Sequence, residues 1–293
     1  MSVIPKTRLP MRIIALPLTS AVRGPRHAEE PSPLVYYHFQ MPPKADNKRG
    51  GWVDWATGKA ASVWAQFGKS PENSWKFKIF TYGERLADRV DFEELALKGV
   101  DPSMGPKLSQ PRSPRVEQKR DVFIPLVHPK IVGISPLAHL ETILTRRTPR
   151  HRKGFYTWML LAPLTTPFML IPVIPNLPFF FCVWRSWSHY RAYKASDYLQ
   201  SLLQRGAIVP HHDANLDGIY AKYAPSNTSH DKAESISGSG KTEERMREDK
   251  RVLLRRDAVP HILELYALPE SAASDIYRAV EQVCARLRRG IYT

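Results

Sequence analysis

Two short runs near the start of the chain, Arg12 to Leu18 and Leu34 to Phe39, are dense in β-branched and aromatic residues and separated by Gly- and Pro-containing sequence. They predict two strands of one small sheet, with Pro17 at an edge or near a strand end because it has no N–H for the ladder. From Trp52 to Phe67 the period changes. Val53, Ala56, Ala60, Val63, Trp64 and Phe67 recur three and four apart, which predicts a helix, and Gly68 stands where a C-terminal cap belongs. Trp75-Lys76-Phe77-Lys78-Ile79 alternates and predicts a strand. Asp91 followed by Glu94 predicts the start of a short helix that ends at Gly99.

Asp101 to Arg115 carries four prolines and reads as a linker. Val122 to Val132 is extended in character. Ser135-Pro136 then opens a helix with Leu137, Leu140 and Leu144 on one face. Later, Ser186 to Arg205 reads as an amphipathic helix, and Ala224 to Gly240 as a Ser/Gly-rich tether. A charged helix is predicted from about Thr242 to Arg256. A last helix has Pro269 in its first turn and an apolar stripe of Ile276, Val280, Val283 and Leu287.

Between Phe155 and Trp184 the polar pattern stops: 30 residues contain no Asp, Glu, Lys, Arg or His. About twenty apolar residues cover a hydrocarbon core of roughly 30 Å. A single helix of this length would run about 45 Å, and Pro172, Pro175 and Pro178 around Asn176 would interrupt it. The expected form is a Pro-rich hydrophobic membrane hairpin with arms at Phe155 to Ile171 and Leu177 to Arg191. Its turn is marked by Pro172, Pro175, Asn176 and Pro178. Arg146, Arg147, Arg150, Arg152 and Lys153 precede the stretch, and Arg185, Arg191 and Lys194 follow it. Cations on both flanks put both ends on one side of the membrane, where Arg146, Arg147, Arg150, Arg152, Lys153 and Arg185 would contact anionic lipid headgroups. A single kinked span, a re-entrant loop and a buried hairpin in a water-soluble fold are the alternatives this stretch leaves open.

The fold class that follows is α+β, predominantly helical, with a small β-sheet and the membrane hairpin. Four regions result: an N-terminal extension at 1–10; an α+β region at 11–145; a basic collar and hairpin at 146–192; and a helical C-terminal region at 193–293 with a flexible linker at 224–240. The first thirty residues are acid-poor and contain Lys6, Arg8, Arg12, Arg23 and Arg26, which suits a mitochondrial presequence. Pro5, Pro10, Pro17 and Pro25 oppose the amphipathic helix such a presequence needs, so a folded first strand is the competing reading.

The net charge of +15 points to an anionic partner, whether acidic lipid, ribosome or nucleic acid. The octet from Arg146 to Lys153 has no aromatic or groove-reading residues, which favours lipid. Cys182 and Cys284 are too few and too far apart for a disulfide framework or a metal motif. Gly238-Ser239-Gly240-Lys241-Thr242 ends like a phosphate-binding loop, but Ser235 stands where its first glycine belongs and no strand precedes it. His211-His212-Asp213 reads as a polar turn, because adjacent histidines point apart. Glu93-Glu94 and Glu243-Glu244 read as solvated helix faces. No catalytic, cofactor or metal residues are predicted, and no small-molecule substrate is evident; an enzyme is not expected.

Taken in order, Met11-Arg12-Ile13-Ile14-Ala15-Leu16-Pro17, the block from Trp75 through Ile79-Phe80-Thr81-Tyr82-Gly83-Glu84-Arg85-Leu86, the hairpin, and Tyr277-Arg278-Ala279-Val280-Glu281-Gln282 resemble the mitochondrial K+–H+ exchange-related proteins of fungi and plants. The resemblance runs from Met11 to about Arg288; residues 1–10 and the segment near Gly238 lie outside it. It implies an inner mitochondrial membrane protein tied to potassium–proton exchange, and it transfers no catalytic residues. An antiporter needs ionisable groups at the bilayer midplane, and the hairpin has none. The expectation is therefore an accessory or regulatory subunit, or a homo-oligomer whose pore needs many copies. A matrix-facing tether for the mitochondrial ribosome and a lipid-binding protein are the rival readings.

Overall fold

The computed structural model describes residues 11–20, 33–42, 51–106, 123–130, 135–167, 177–224 and 251–289. The elements run β1 (Arg12–Pro17), β2 (Val35–Gln40), α1 (Trp52–Gly68), α2 (Trp75–Asp88), α3 (Phe92–Lys98), β3 (Ile124–His128), α4 (Pro136–Leu164), α5 (Leu177–Gln204), β4 (Ile208–His212), α6 (Ala214–Tyr223), α7 (Val259–Tyr266) and α8 (Glu270–Arg288). The chain divides into two compact units. One contains Pro42–Asp91; the other contains Leu9–Met41 and Phe92–Thr293.

In the larger unit a four-stranded mixed sheet has the order β2-β1-β3-β4. β1 and β2 pair antiparallel from Arg12 opposite Gln40 to Pro17 opposite Val35. β1 and β3 are parallel, as are β3 and β4. The prediction of two sheet-forming runs holds, but β1 is an interior strand, and Pro17 is tolerated because it ends the strand. Ile13, Ile14, Ala15 and Leu16 are all buried, the continuous apolar run of a strand covered on both faces. Each fully buried Ile or Leu contributes about 1.5–3 kcal/mol.

α8 lays its predicted stripe into this core: Ile276, Val280, Val283 and Leu287 are buried. Tyr220 of α6 is fully enclosed and donates from its hydroxyl to the Pro17 carbonyl at 3.0 Å. The position that has no N–H thus has its carbonyl satisfied from a neighbouring helix.

The crossover from β3 to β4 is the antiparallel helical pair α4–α5. Ser135 caps α4 with Pro136 in its first turn, as predicted. α4 has 29 residues, about 44 Å at 1.5 Å per residue. β3 has five, about 17 Å. The helices therefore outrun the sheet. Their sheet-side parts put Leu140, Leu144, Ala192, Ala195, Leu199 and Leu202 into the core.

Several expectations are corrected. The basic collar lies inside α4, and the second arm and the helix predicted from Ser186 are one helix, α5. The α-helix of the first arm ends at Leu164, and residues 168–176 lie outside the described residues. Trp75–Ile79 opens α2 and is not a strand. Ser74 accepts the Phe77 N–H at 3.2 Å as N-cap, and five alternating residues are too few to outweigh the helical spacing that follows. His211 and His212 belong to β4, and Asp213 caps α6. Residues 251–255 are not helical; Val252 bridges Thr19. The rest of the predicted charged helix, residues 242–250, and the linker beyond Ala224 lie outside the described residues.

The smaller unit is an α1–α2 pair. Trp64 meets Phe80 at 5.4 Å between ring centroids and donates its indole N–H to Glu84 at 2.8 Å. Gly83 makes this possible, because a Cβ there would lie 2.3 Å from the Trp64 ring. Gly83→Ala would add helix propensity of about 1 kcal/mol, but it must displace the indole. The expected result is a net loss of about 1–3 kcal/mol from overpacking, with a red-shifted tryptophan emission in the unfolding curve. Stabilisation instead would show that Trp64 moves aside freely.

Candidate functional site

α3, α4 and α5 enclose a cluster of charged and titratable side chains where the hairpin leaves the core. α3 contributes Glu93, Glu94 and Lys98; α4 contributes Arg147 and His151; α5 contributes Arg185, Ser188 and His189. Glu94 is only 4% exposed and His151 only 2%. Glu94 takes both arms of the Arg185 guanidinium, Nη1 to Oε1 at 2.6 Å and Nη2 to Oε2 at 3.1 Å. Ser188 donates to Oε1 at 2.7 Å, and Lys98 Nζ lies 3.8 Å from the same oxygen. Arg147 pairs with Glu93 at 2.5 Å. Both acids sit in the first turn of α3, where the helix dipole favours negative charge.

His151 Nδ1 faces His189 Nδ1 at 3.2 Å, so one of the two rings donates to the other. Gly154, one turn beyond His151, sets the approach of the helices. A Cβ at that position would lie 2.8 Å from the Cδ2 and Nε2 of His189. Ser186 Oγ also donates to the Phe155 carbonyl at 3.2 Å across the pair.

Burial and charge set the protonation states. Burial alone would raise the Glu94 carboxyl, but the Ser188 hydrogen bond and the Arg185 charge outweigh it and hold the group ionised. Burial lowers Lys98 to about 8 and His151 to about 4, and it also lowers His189. Near neutral pH the cluster is an ionised Arg–Glu pair beside two neutral imidazoles. Glu94, His151 and His189 each bring a ligand atom within 4.8 Å of the others.

Beyond this cluster the hairpin changes character. Leu160 and Leu164 on α4 are 67% and 70% exposed, and Phe180 on α5 is 60% exposed. Tyr156, Met159, Val183, Trp184 and Trp187 are also open, while Ala162 and Cys182 line the inner face. Trp158 and Phe181 meet edge-on at 5.4 Å between the helices. No helix among the described residues is long and apolar enough to cross a membrane.

Of the predicted headgroup contacts, Arg146, Arg150, Arg152 and Lys153 are exposed around α4. The fork of Arg185 is engaged by Glu94, and Arg147 is engaged by Glu93. Pro178 is exposed in the first turn of α5; Pro172, Pro175 and Asn176 lie outside the described residues. Reading Glu93-Glu94 as a solvated face is corrected by the burial of Glu94. Sequence reasoning missed His151 and His189 as partners of Glu94. The available signal was the spacing of Arg147, His151 and Gly154 on one helix against Arg185, Ser188 and His189 on the next.

Two fungal relatives resemble the chain. An uncharacterized protein of Saccharomyces cerevisiae is 23% identical over 214 residues, 67% of this chain and 63% of its own length. An uncharacterized protein of Schizosaccharomyces pombe is 26% identical over 186 residues, 64% of this chain and 72% of its own length. The chain thus spans less than two thirds of the Saccharomyces relative. No solved structure matches it. A family profile described as mitochondrial K+–H+ exchange-related matches residues 12–203, from the first strand through both hairpin helices, and the chain belongs to that family.

Proposed function

We propose that the protein is a non-enzymatic accessory or regulatory subunit of potassium–proton exchange, held in the inner mitochondrial membrane by the α4–α5 hairpin. The observation that carries the reading is the exposed apolar end of the α4–α5 pair, next to a run of exposed cations on α4. Leu160, Leu164 and Phe180 face outward where a water-soluble fold would turn them in. Arg146, Arg150, Arg152 and Lys153 follow at the level where anionic headgroups would lie. From Phe155 to Leu164 the apolar part of α4 rises about 15 Å, half of a hydrocarbon core of roughly 30 Å. Insertion from the matrix side as a wedge needs no described helix to cross.

The accessory role rests on chemistry. A carrier must load and release protons on a group that the two sides reach alternately. Glu94 is buried at the base of the hairpin and tied to Arg185 by two hydrogen bonds, a carboxylate held charged and not one that cycles. The other exchanger components, or further copies of this chain, would supply the pathway.

Purified protein reconstituted alone into K+-loaded, pH-reporting vesicles is expected to give no exchange above protein-free vesicles. In mitochondria lacking the protein, potassium-driven swelling should change. Robust exchange by the protein alone would overturn the accessory assignment, and unaltered swelling would remove the link to exchange.

A further inference from the structure

We propose that His151, His189 and Glu94 form a binding site for a divalent transition-metal ion, with Zn2+ the best fit, that staples α4 and α5 to α3. The two imidazoles are the starting point. Their Nδ1 atoms lie 3.2 Å apart. Two nitrogens bound to one tetrahedral Zn2+ at about 2.0–2.1 Å stand about 3.3 Å from each other. The rings therefore hold the separation that coordination needs. Without a metal, one Nδ1–H must point at the other Nδ1.

The remaining nitrogen of His151 faces away from this pair. His151 Nε2 is buried and has no hydrogen-bond partner among the described residues. Coordination through Nδ1 would fix the proton on Nε2 and leave that donor unpaired, so it is the facing Nδ1 pair and the carboxylate within 4.8 Å that point to a bound ion. His189 is held in place from behind, because its Nε2 edge packs on Gly154 and leaves Nδ1 turned inward.

A Glu94 carboxylate oxygen within 4.8 Å of both imidazole ligand atoms completes the set, and Oε2 is the less engaged of the two oxygens. Oε1 carries the Arg185 Nη1 bond, the Ser188 bond and the Lys98 contact, whereas Oε2 carries only the longer Arg185 bond at 3.1 Å. A lone pair on Oε2 remains for a metal. Two neutral nitrogens and one carboxylate oxygen are a donor set suited to zinc, and they leave a fourth position open. Arg185 and Lys98 stand close by and oppose a second cation. That repulsion works against hard ions such as Ca2+ and Mg2+, which need several charged oxygens. It is outweighed only by a metal that binds nitrogen strongly.

The test uses the full chain in detergent, metal-stripped and then titrated with Zn2+ and Co2+. One equivalent of Zn2+ should bind per chain and raise the melting temperature, and Co2+ should give the visible ligand-field bands of a tetrahedral site. His151→Asn and His189→Asn should each weaken binding about a hundredfold or more, since removing even a group that only orients a metal ligand costs about 10- to 100-fold. Cys182→Ser with Cys284→Ser, and His211→Ala with His212→Ala, should leave binding unchanged. Binding that disappears with the cysteines or with His211 and His212, or no stoichiometric binding at all, would overturn the proposal. If a ring variant fails to fold, the 15N imidazole spectrum of the unaltered protein decides. Two histidines must lose their tautomer exchange on adding Zn2+; an unchanged spectrum sinks the site. These readouts do not involve potassium or membranes, so their outcome is separate from the exchange reading.

Discussion

Replacing Leu160 and Phe180 together by glutamate is expected to release the protein from membranes during mild alkaline extraction while its fold stays intact. Both side chains are exposed, 67% and 60%, so the folded protein loses little packing when they change. Surface substitutions of that kind alter stability by about 0.5 kcal/mol or less. In a bilayer the same changes are expensive. A charged residue at the centre of a membrane helix costs about 2.5–3.5 kcal/mol, while Leu or Phe contributes about −0.3 to −0.6 kcal/mol. Two swaps at full depth would cost about 6 kcal/mol; at half depth about 3 kcal/mol remains, more than a hundredfold in partitioning. Flotation with liposomes and circular dichroism measure the two sides of this comparison. Retention of the folded double variant in the membrane fraction would mean that the hairpin tip does not enter lipid.

The exposed cations predict a different signature. Each Lys or Arg near an anionic surface contributes about 1 kcal/mol, and that attraction is screened within about 10 Å at 0.1 M salt. Arg146, Arg150, Arg152 and Lys153 together could therefore bring the protein to an acidic membrane but not hold it there at high salt. An apolar wedge survives salt and a basic collar does not.

The first two strands and the final helix were legible in the sequence because each follows one hydrophobic pattern; β4 was not, since its His211-His212 end reads as a polar turn. Ile13 and Ile14 fill a sheet covered on both faces, and Ile276, Val280 and Val283 form a stripe with one period. Trp75 to Ile79 misled for a local reason. Alternating Lys and aromatic residues suit a half-exposed strand, but Ser74 and the aromatic contacts to α1 settle the segment as helix. The apolar ends of α4 and α5 were legible as an uncharged stretch; the sheet-side halves of these helices were not, because their charged residues looked like flanks. Arg185 resembled a headgroup ligand since nothing in the sequence joins it to an acid on a helix far earlier in the chain. Glu94 looked solvated beside Glu93 for the same cause: a seven-residue helix does not reveal which acid faces inward. Tertiary contacts between helices, not local pattern, place the candidate site.

The second large effect falls on that pair. Glu94→Ala is expected to destabilise the larger unit by about 3–5 kcal/mol, the usual cost of leaving one partner of a buried ion pair alone. The Glu94 and Arg185 side chains are 5% and 20% exposed, so water replaces little of what is lost. Arg185 would keep its charge in place with no carboxylate on its fork, and Lys98 would lose its nearest anion. Glu94→Leu combined with Arg185→Met should recover most of the loss, because removing both charges also removes their desolvation cost. The surface pair Arg256–Glu281, with side chains 63% and 60% exposed, supplies the control: Glu281→Ala should change stability very little. Urea unfolding with a chelator present, so that no bound metal contributes, ranks the variants. Equal small losses for Glu94→Ala and Glu281→Ala would mean that water reaches Glu94. The carboxylate could then load and release protons from water, and the cluster would have the exchangeable group that a carrier needs.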